Sequence, residues 1–564
     1  MYYNEFEGME MCFLLDVDYL GKIYRFSTIP IDLEDTRENL IVRYDGGLED
    51  PDINQETSFL GVSIEGDAVS MQIVFSELDW VEEWLGGRVL DHSKALLYAV
   101  PIRGGTTSFT LLDRVPLYSG KVSSPIYGDP EKPKGWIAFS VENNENIQVV
   151  KLLEGSNEIT RNRFPSPVQD AVYGKYAPFV FGRPGLIPKP EANRQISFTE
   201  KYATTPALQV QFTRQSSPSF QENVRYLIAH HPVKASIGRI YDPAGGSFRN
   251  PILVDSDGEG NLYSYVNYKI ISTGADVLEY DNFQQSSGGV ELFQDFYASW
   301  GEEDGGYFQA FSSGAMTGGG DICMYFLEKI GLDYDYQAWA GLLDVLNRYK
   351  FAGYINDYET KAFSWLKENI ISNLPIEVVN SSKGITPKLN LYFNSDIPQV
   401  LHHVRSSGDF QIITGIQPLD QPIINHLTVK FCYASSNDAY QATIIIDPRL
   451  DNEETMVVND PIARLSFERF GLREQVLELP FVWDLATAFR IARNTIRVRG
   501  LGAKAIEVSA SPRYSYIEIG DIISLTSDIG LTDHKCQIIS KSWRDNRWFF
   551  VLHIEENPII NQRQ

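Results

Sequence analysis

Two histidine doublets, His230-His231 and His402-His403, are the first residues in this chain to suggest chemistry, because imidazole is both a metal ligand and a general base. In a strand, neighbours face opposite sides, so neither doublet turns both rings onto one ion. The His-x-x-x-His and His-Glu-x-x-His spacings of a helical metal site are absent. Asp255-Ser256-Asp257-Gly258-Glu259-Gly260-Asn261 matches the first half of a calcium loop, with acids at alternate positions and a central Gly. The loop's twelfth position is Val266, however, and not the bidentate Glu that closes such a site. A polar turn between strands 252–254 and 262–266 is the expectation, with calcium as its competitor. Gly314-Ala315-Met316-Thr317-Gly318-Gly319-Gly320-Asp321 precedes a helix, where a glycine-rich loop can cradle phosphate. Asp321 and Ile322 stand where a P-loop needs Lys and then Ser or Thr, and Asp repels phosphate. The reading is a flexible joint with Asp321 as N-cap.

Glu82 and Glu83 beside Trp80 and Trp84 bring together acids and a sugar platform. A glycosidase holds its carboxyls on opposite sides of the scissile bond, which neighbours on one helix do not do. No Gly-x-Ser-x-Gly nucleophile elbow occurs. Cys12, Cys323, Cys432 and Cys536 are scattered and form no Cys-x-x-Cys pair, so they read as buried small hydrophobes, not as zinc ligands or disulfides. The expectation is a protein without catalytic, cofactor-binding or metal-binding residues, and not an enzyme.

The elements around these residues are mostly β. The chain has 564 residues, is 43% hydrophobic and 12% aromatic, and carries a net charge of -25. That length supports several cores. That charge argues against binding nucleic acid through the bulk surface, since phosphate contact needs Lys and Arg. It suits a passage through which nucleic acid slides without sticking. No apolar run approaches the roughly 18 residues of a membrane span, and the acidic start of the chain is not a signal peptide.

In chain order, 1–160 reads as a β domain with one short helix, 77–85, and with an irregular acidic stretch at 32–56. A proline-rich connector follows at 161–205, then a β insertion at 206–312. A mixed helical and β domain spans 313–480. Its helices are expected at 322–330, 336–349 and 357–374, the last opened by a capping box of Asn356 and Glu359. Strands return at 387–447, and 447–470 reads as irregular. The closing stretch, 481–564, is a helix plus a small antiparallel sheet or barrel. Asp484 caps that helix, Leu485, Ala488, Phe489, Ala492 and Ile496 keep its spacing, and Gly500 stops it. Its other face carries Arg490, Arg493 and Arg497, fit for the acids of a partner chain, for solvent or for pairing within the chain. The fold class is α+β, mostly β, with several β-barrel or β-sandwich modules around a helical cluster.

Three places give the chain a likeness. The opening module holds Phe13-Leu14-Leu15-Asp16-Val17-Asp18, Tyr24-Arg25-Phe26-Ser27-Thr28 and Val115-Pro116-Leu117-Tyr118-Ser119-Gly120-Lys121-Val122. A helical cluster, 322–374, lies between β modules. The closing helix, 484–498, precedes Ile517-Glu518-Ile519-Gly520-Asp521-Ile522-Ile523-Ser524-Leu525. In this ordering the chain resembles the tail hub proteins of long-tailed bacteriophages, also called baseplate hub or tail-tip proteins. The resemblance implies two tube-like β domains per chain, at 1–160 and within 313–480. It implies a homotrimer that mimics a six-fold ring and mates with a hexameric distal tail protein or tail tube protein. It further implies a lumen that holds the tape-measure protein and then passes genomic DNA without specific binding. Tail fibres or receptor-binding proteins would sit outside, and the site of action would be the virion tail, after synthesis in a host cytoplasm. The competing expectations are a carbohydrate-binding or carbohydrate-cleaving surface protein, on Trp80 and Trp84, and a calcium-stabilised adhesin, on 255–261.

Overall fold

A computed structural model describes residues 9–56, 68–75, 90–103, 108–142 and 150–182 apart from 154, 156–157, 163–172 and 177. It describes the strands between 186 and 300 as backbone, and 317–555 apart from 394–400, 406–409, 420, 435–437, 451–455 and 528. The expected helix 77–85, with Trp80, Glu82, Glu83 and Trp84, lies outside these residues, as do His230, His231 and 257–263.

The fold is mostly β with a few helices. Strand Met9–Tyr19 sends Met11, Phe13, Leu15 and Val17 into one core and Cys12 and Leu14 into another, and Leu20-Gly21 turns it back into Lys22–Ser27. It sits fifth in a nine-stranded sheet. In order, that sheet runs Ala68–Val74, Trp136–Glu142, Val115–Tyr127, Lys94–Arg103, Met9–Tyr19, Lys22–Ser27, Leu40–Gly46, Ile31–Asp35 and Phe109–Thr110. The acidic stretch read as irregular thus supplies Ile31–Asp35, Leu40–Gly46 and Asn54–Glu56. The first two bury only Leu33 and Tyr44 while Leu40 and Ile41 are exposed, so apolar residues do not alternate with polar ones and the strands escape pattern reading.

A second sheet, of eight strands, is built from the end of the chain. Its path runs Leu401–Arg405, Ile522–Ser527, Leu531–Arg544, Arg547–Ile554, Lys504–Ala510 and Phe410–Ile412. Gln417–Pro418 pairs with Lys504–Ala510, and Asn54–Glu56 pairs with Leu531–Arg544. The two large sheets share a core that includes Phe13, Leu15, Val17, Ile137, Ile538 and Trp548. They form a sandwich of open sheets, bound at its centre by Phe13, which meets Trp543 edge-on at 5.3 Å.

A second core gathers the helices. Gly319–Ile330, Tyr336–Leu346 and Ala362–Asn369 pack with the hairpin Ile376–Ser381/Gly384–Leu389, and with the sheet Val457–Val458, Ala439–Ile446, His426–Ala434, Glu474–Leu479. Helix Leu485–Arg499 belongs to this core, through Leu485, Ala488, Ile491, Ala492 and Ile496. Residues 447–470, read as irregular, contain the helix Pro461–Phe470, whose N-cap Asp460 accepts from Ile462 N at 2.9 Å. Between the two cores in sequence, seven strands from Thr205 to Trp300 form a sheet of their own.

Two start signals move. The helix expected from 357 begins at Ala362, because Asp357 instead closes a turn by accepting from Glu359 N at 3.0 Å. The N-cap of Gly319–Ile330 is Gly318, not Asp321. A Cβ on Gly319 would stand 2.7 Å from Leu374 Cδ2, and one on Gly320 2.7 Å from Leu343 Cδ2. These glycines let helices approach.

Candidate functional site

The place where polar chemistry concentrates is the joint between the two cores, built around the Glu-Ile-Gly-Asp corner. The hairpin Ile376–Ser381/Gly384–Leu389 alternates its faces. Ile376, Val378, Ile385 and Leu389 enter the helical core. Glu377 and Lys388 are register partners, so they share a face. Lys388 Nζ donates to Glu518 Oε2 and to Asp521 Oδ1, both at 2.9 Å. Burial pulls the Lys388 ammonium down, but the two carboxylates more than reverse that, and its pKa rises above the ordinary lysine range. Gly520 takes φ +81° between the two acids, and a Cβ there would stand 2.6 Å from Lys388 Cγ. Only glycine allows the corner to turn and the lysine to cross it.

Gln537 ties the same joint with one side chain. Its Nε2 donates to Leu389 O and Gly520 O at 3.2 Å, and its Oε1 accepts from Leu391 N at 3.0 Å. Tyr392 Oη lies 3.1 Å from His553 Nε2. Burial drives the His553 pKa down to about 3, so this ring is neutral. Lys541 is buried beneath the turn Pro512–Tyr516, donating to Ser515 O at 2.8 Å and Ile517 O at 2.7 Å, with its ammonium 4.5 Å from the Trp548 ring centroid. Burial lowers its pKa to about 8. Glu377 is fully buried, both its carboxylate oxygens lack a hydrogen-bond partner, and burial raises its pKa to about 8. Lys388, Gln537 and Lys541 thus answer carboxylates or backbone groups, and such satisfied networks rigidify the structure around them.

The residues singled out from sequence disperse. His402 and His403 occupy consecutive register positions opposite Ile523 and Ser524. Asp255 and Ser256 end the strand Ile252–Ser256, which pairs antiparallel with Ser264–Ser272. The glycine-rich loop is already occupied, because Asn347 Oδ1 accepts from Asp321 N at 3.1 Å. Cys12, Cys323, Cys432 and Cys536 are free and buried, and burial raises each thiol's pKa. Of the arginine row, Arg490 donates to Arg348 O at 2.6 Å and Arg497 lines a cleft. Among the described residues, no three His, Cys, Asp or Glu side chains converge as a metal site, and no helix is long and apolar enough to cross a membrane. The joint was missed as a site because Lys388, Gln537 and Lys541 carry no motif.

No family model and no curated protein matches the chain. Solved structures do show likeness. A tail protein from Neisseria meningitidis MC58 aligns over 97% of both chains, with 8% identity and a TM-score of 0.38. The prophage tail protein gp18 from Listeria monocytogenes EGD-e covers 67% of this chain and 96% of its own, with 9% identity and a TM-score of 0.26. A chain of the virion of a native gene transfer agent particle covers 75% of this chain and 90% of its own, with 10% identity and a TM-score of 0.38. These scores make each a likeness in layout, too distant to carry a role across.

Proposed function

We propose that the chain is the structural hub of a bacteriophage tail tip or baseplate. In this reading it closes the tail tube, adapts a hexameric tube or distal tail protein to a trimeric tip, and organises receptor-binding proteins and DNA ejection. The observation that carries the reading is the joint. A helix and a strand that are close in sequence, Leu485–Arg499 and Ile522–Ser527, contribute to separate cores, the first through Ala488, Ile491 and Ile496, the second through Ile523 and Leu525. Lys388 and Gln537 then lock those cores together. A chain so built is a rigid multi-module part, which is what a hub requires and an enzyme with one cleft does not. The module order read from sequence supports the assignment, with the tube-like domains at 1–160 and within 313–480. The net charge of -25 suits a lumen that releases DNA. Homotrimerisation, the distal tail, tube and tape-measure partners, and location in the virion tail belong to the same proposal. The carbohydrate reading rests on Trp80 and Trp84, outside the described residues, and no described residue favours it.

The test is the mass of the purified protein by light scattering, with negative-stain images of the same sample. A three-fold ring with a central opening is expected, alone or with a tube protein added. A chain that stays monomeric with every tail protein offered would overturn the proposal.

A further inference from the structure

Helix Leu485–Arg499 turns one face inward through Leu485, Ala488, Ile491, Ala492 and Ile496. Its other face carries Arg490, Arg493 and Arg497, all exposed, and their spacing of three and four residues sets them in one row. Arg490 donates to Arg348 O at 2.6 Å, and Lys350 N donates to Thr487 Oγ1 at 2.8 Å. Those two bonds hold Arg348 and Lys350, both exposed, beside the first turns of the helix. Five cations thus form one ridge. The helix contains four arginines and no acid, in a chain of 74 acids against 49 Lys and Arg. Elsewhere exposed arginines pair within the chain, Arg449 with Asp447, Arg464 with Glu468 and Arg544 with Glu507. Among the described residues no such pair engages the ridge.

The opposite charge concentrates at 32–52, which holds eight acids and two arginines. Asp32 and Glu34 are exposed and flank the buried Leu33, so both carboxylates leave the same face of the strand. Arg43, opposite Asp32, is held by Asp45 at 3.0 Å. Ile41, opposite Glu34, is 75% exposed. This outer face therefore presents two carboxylates about 7 Å apart along the strand, beside an uncovered isoleucine. Arg493 and Arg497 are about 6 Å apart along their helix, and arginine stems offer methylene groups to an apolar neighbour. The two faces match in charge, in spacing and in their apolar element.

We propose that the ridge docks the outer face of the hairpin Ile31–Asp35/Leu40–Gly46 of a second copy of this chain. Asp32 and Glu34 of the incoming copy meet the arginine row, and its Ile41 rests on the arginine stems. The two faces belong to different parts of the chain, so the contact is heterologous, the kind from which rings are built. The inference rests on the homotrimer of the hub reading and names the faces that meet in it.

The test is light scattering of the full-length protein, under whichever condition assembles the wild type, alone or with a tube protein added. Arg493→Glu with Arg497→Glu, and separately Asp32→Lys with Glu34→Lys, should each weaken self-association at least about tenfold, because like charges then face each other. The variant carrying all four reversals restores opposite charges across the contact and should regain most of the association. All four positions are exposed, and the two pairs lie in different cores, so if one pair fails to fold the other still gives the answer. A ring that survives both pairs of reversals overturns the docking and leaves the hub reading standing. Loss in the arginine variant alone assigns the ridge to another anion and overturns it too, as does loss in both without recovery in the fourfold variant. A wild type that stays monomeric with every tail protein offered overturns the docking and the hub reading together.

Discussion

Lys388 and Asp521 stand 2.9 Å apart across the corner that joins the two cores. Glu518 accepts from the same ammonium. Lys388 is 21% exposed and Asp521 17%, so solvent screens the bridge only in part. Removing the lysine strands two acids side by side, which costs more than losing an exposed ion pair. Lys388→Met should destabilise by about 1–3 kcal/mol, read as a lower urea midpoint, and Asp521→Asn on that background should restore part of it. A midpoint unchanged by Lys388→Met would mean that the bridge contributes nothing.

Phe13 supplies the apolar counterpart. It is fully buried and meets Trp543 and Trp548 edge-on at centroid distances of 5.3 and 6.5 Å. Phe13→Ala should cost about 3–5 kcal/mol and loosen the opening sheet from the closing one. Thermal unfolding checks the first effect. Protease cleavage checks the second, with new cuts expected in the Arg544–Arg547 turn. Loss of stability without such cuts would show that the sheets stay docked by their remaining contacts.

Glycines at positive φ separate conformational strain from crowding. Gly520 and Gly331 take φ +81° and +74°, but a Cβ on Gly520 meets Lys388 at 2.6 Å while one on Gly331 meets nothing within 4 Å. Gly331→Ala should cost about 1 kcal/mol. Gly520→Ala should cost clearly more, by displacing Lys388. Equal denaturant midpoints for the two variants would sink the claim that the corner and the lysine are coupled.

How far the sequence disclosed this arrangement depends on the kind of signal. Asp484, the Leu485–Ile496 spacing and the hairpin around Arg544-Asp545-Asn546-Arg547 are local, and all stand in the structure. Asp460-Pro461 was an equally local helix start. The helix it opens buries only Ala463 and Ser466, too little apolar surface to show a period. The strands Ile31–Asp35 and Leu40–Gly46 hide for a different reason, since they bury only Leu33 and Tyr44 and leave Leu40 and Ile41 exposed. The joint was illegible for another reason. Lys388 and Glu518 find each other only after the hairpin has placed one face in the helical core, and no spacing along the chain encodes that.

Glu377 tests the joint through pH. It is fully buried without a hydrogen-bond partner, and burial raises its pKa from 4.5 to about 8. The folded state therefore holds this proton where the unfolded state has released it. The cost is absent below about pH 4.5, grows as pH rises between the two values, and is complete above about pH 8. Each unit of difference is worth about 1.4 kcal/mol, so the whole penalty is a few kcal/mol. Glu377→Gln removes the ionisation and keeps the shape. It should raise the denaturant midpoint at pH 8 and leave it nearly unchanged at pH 4.5, flattening the profile between them. A variant equally stabilised at both pH values would mean that Glu377 does not titrate in this window. A variant destabilised at pH 8 would mean that the carboxylate has a partner there, and the joint would then hold a charge pair in place of a buried acid.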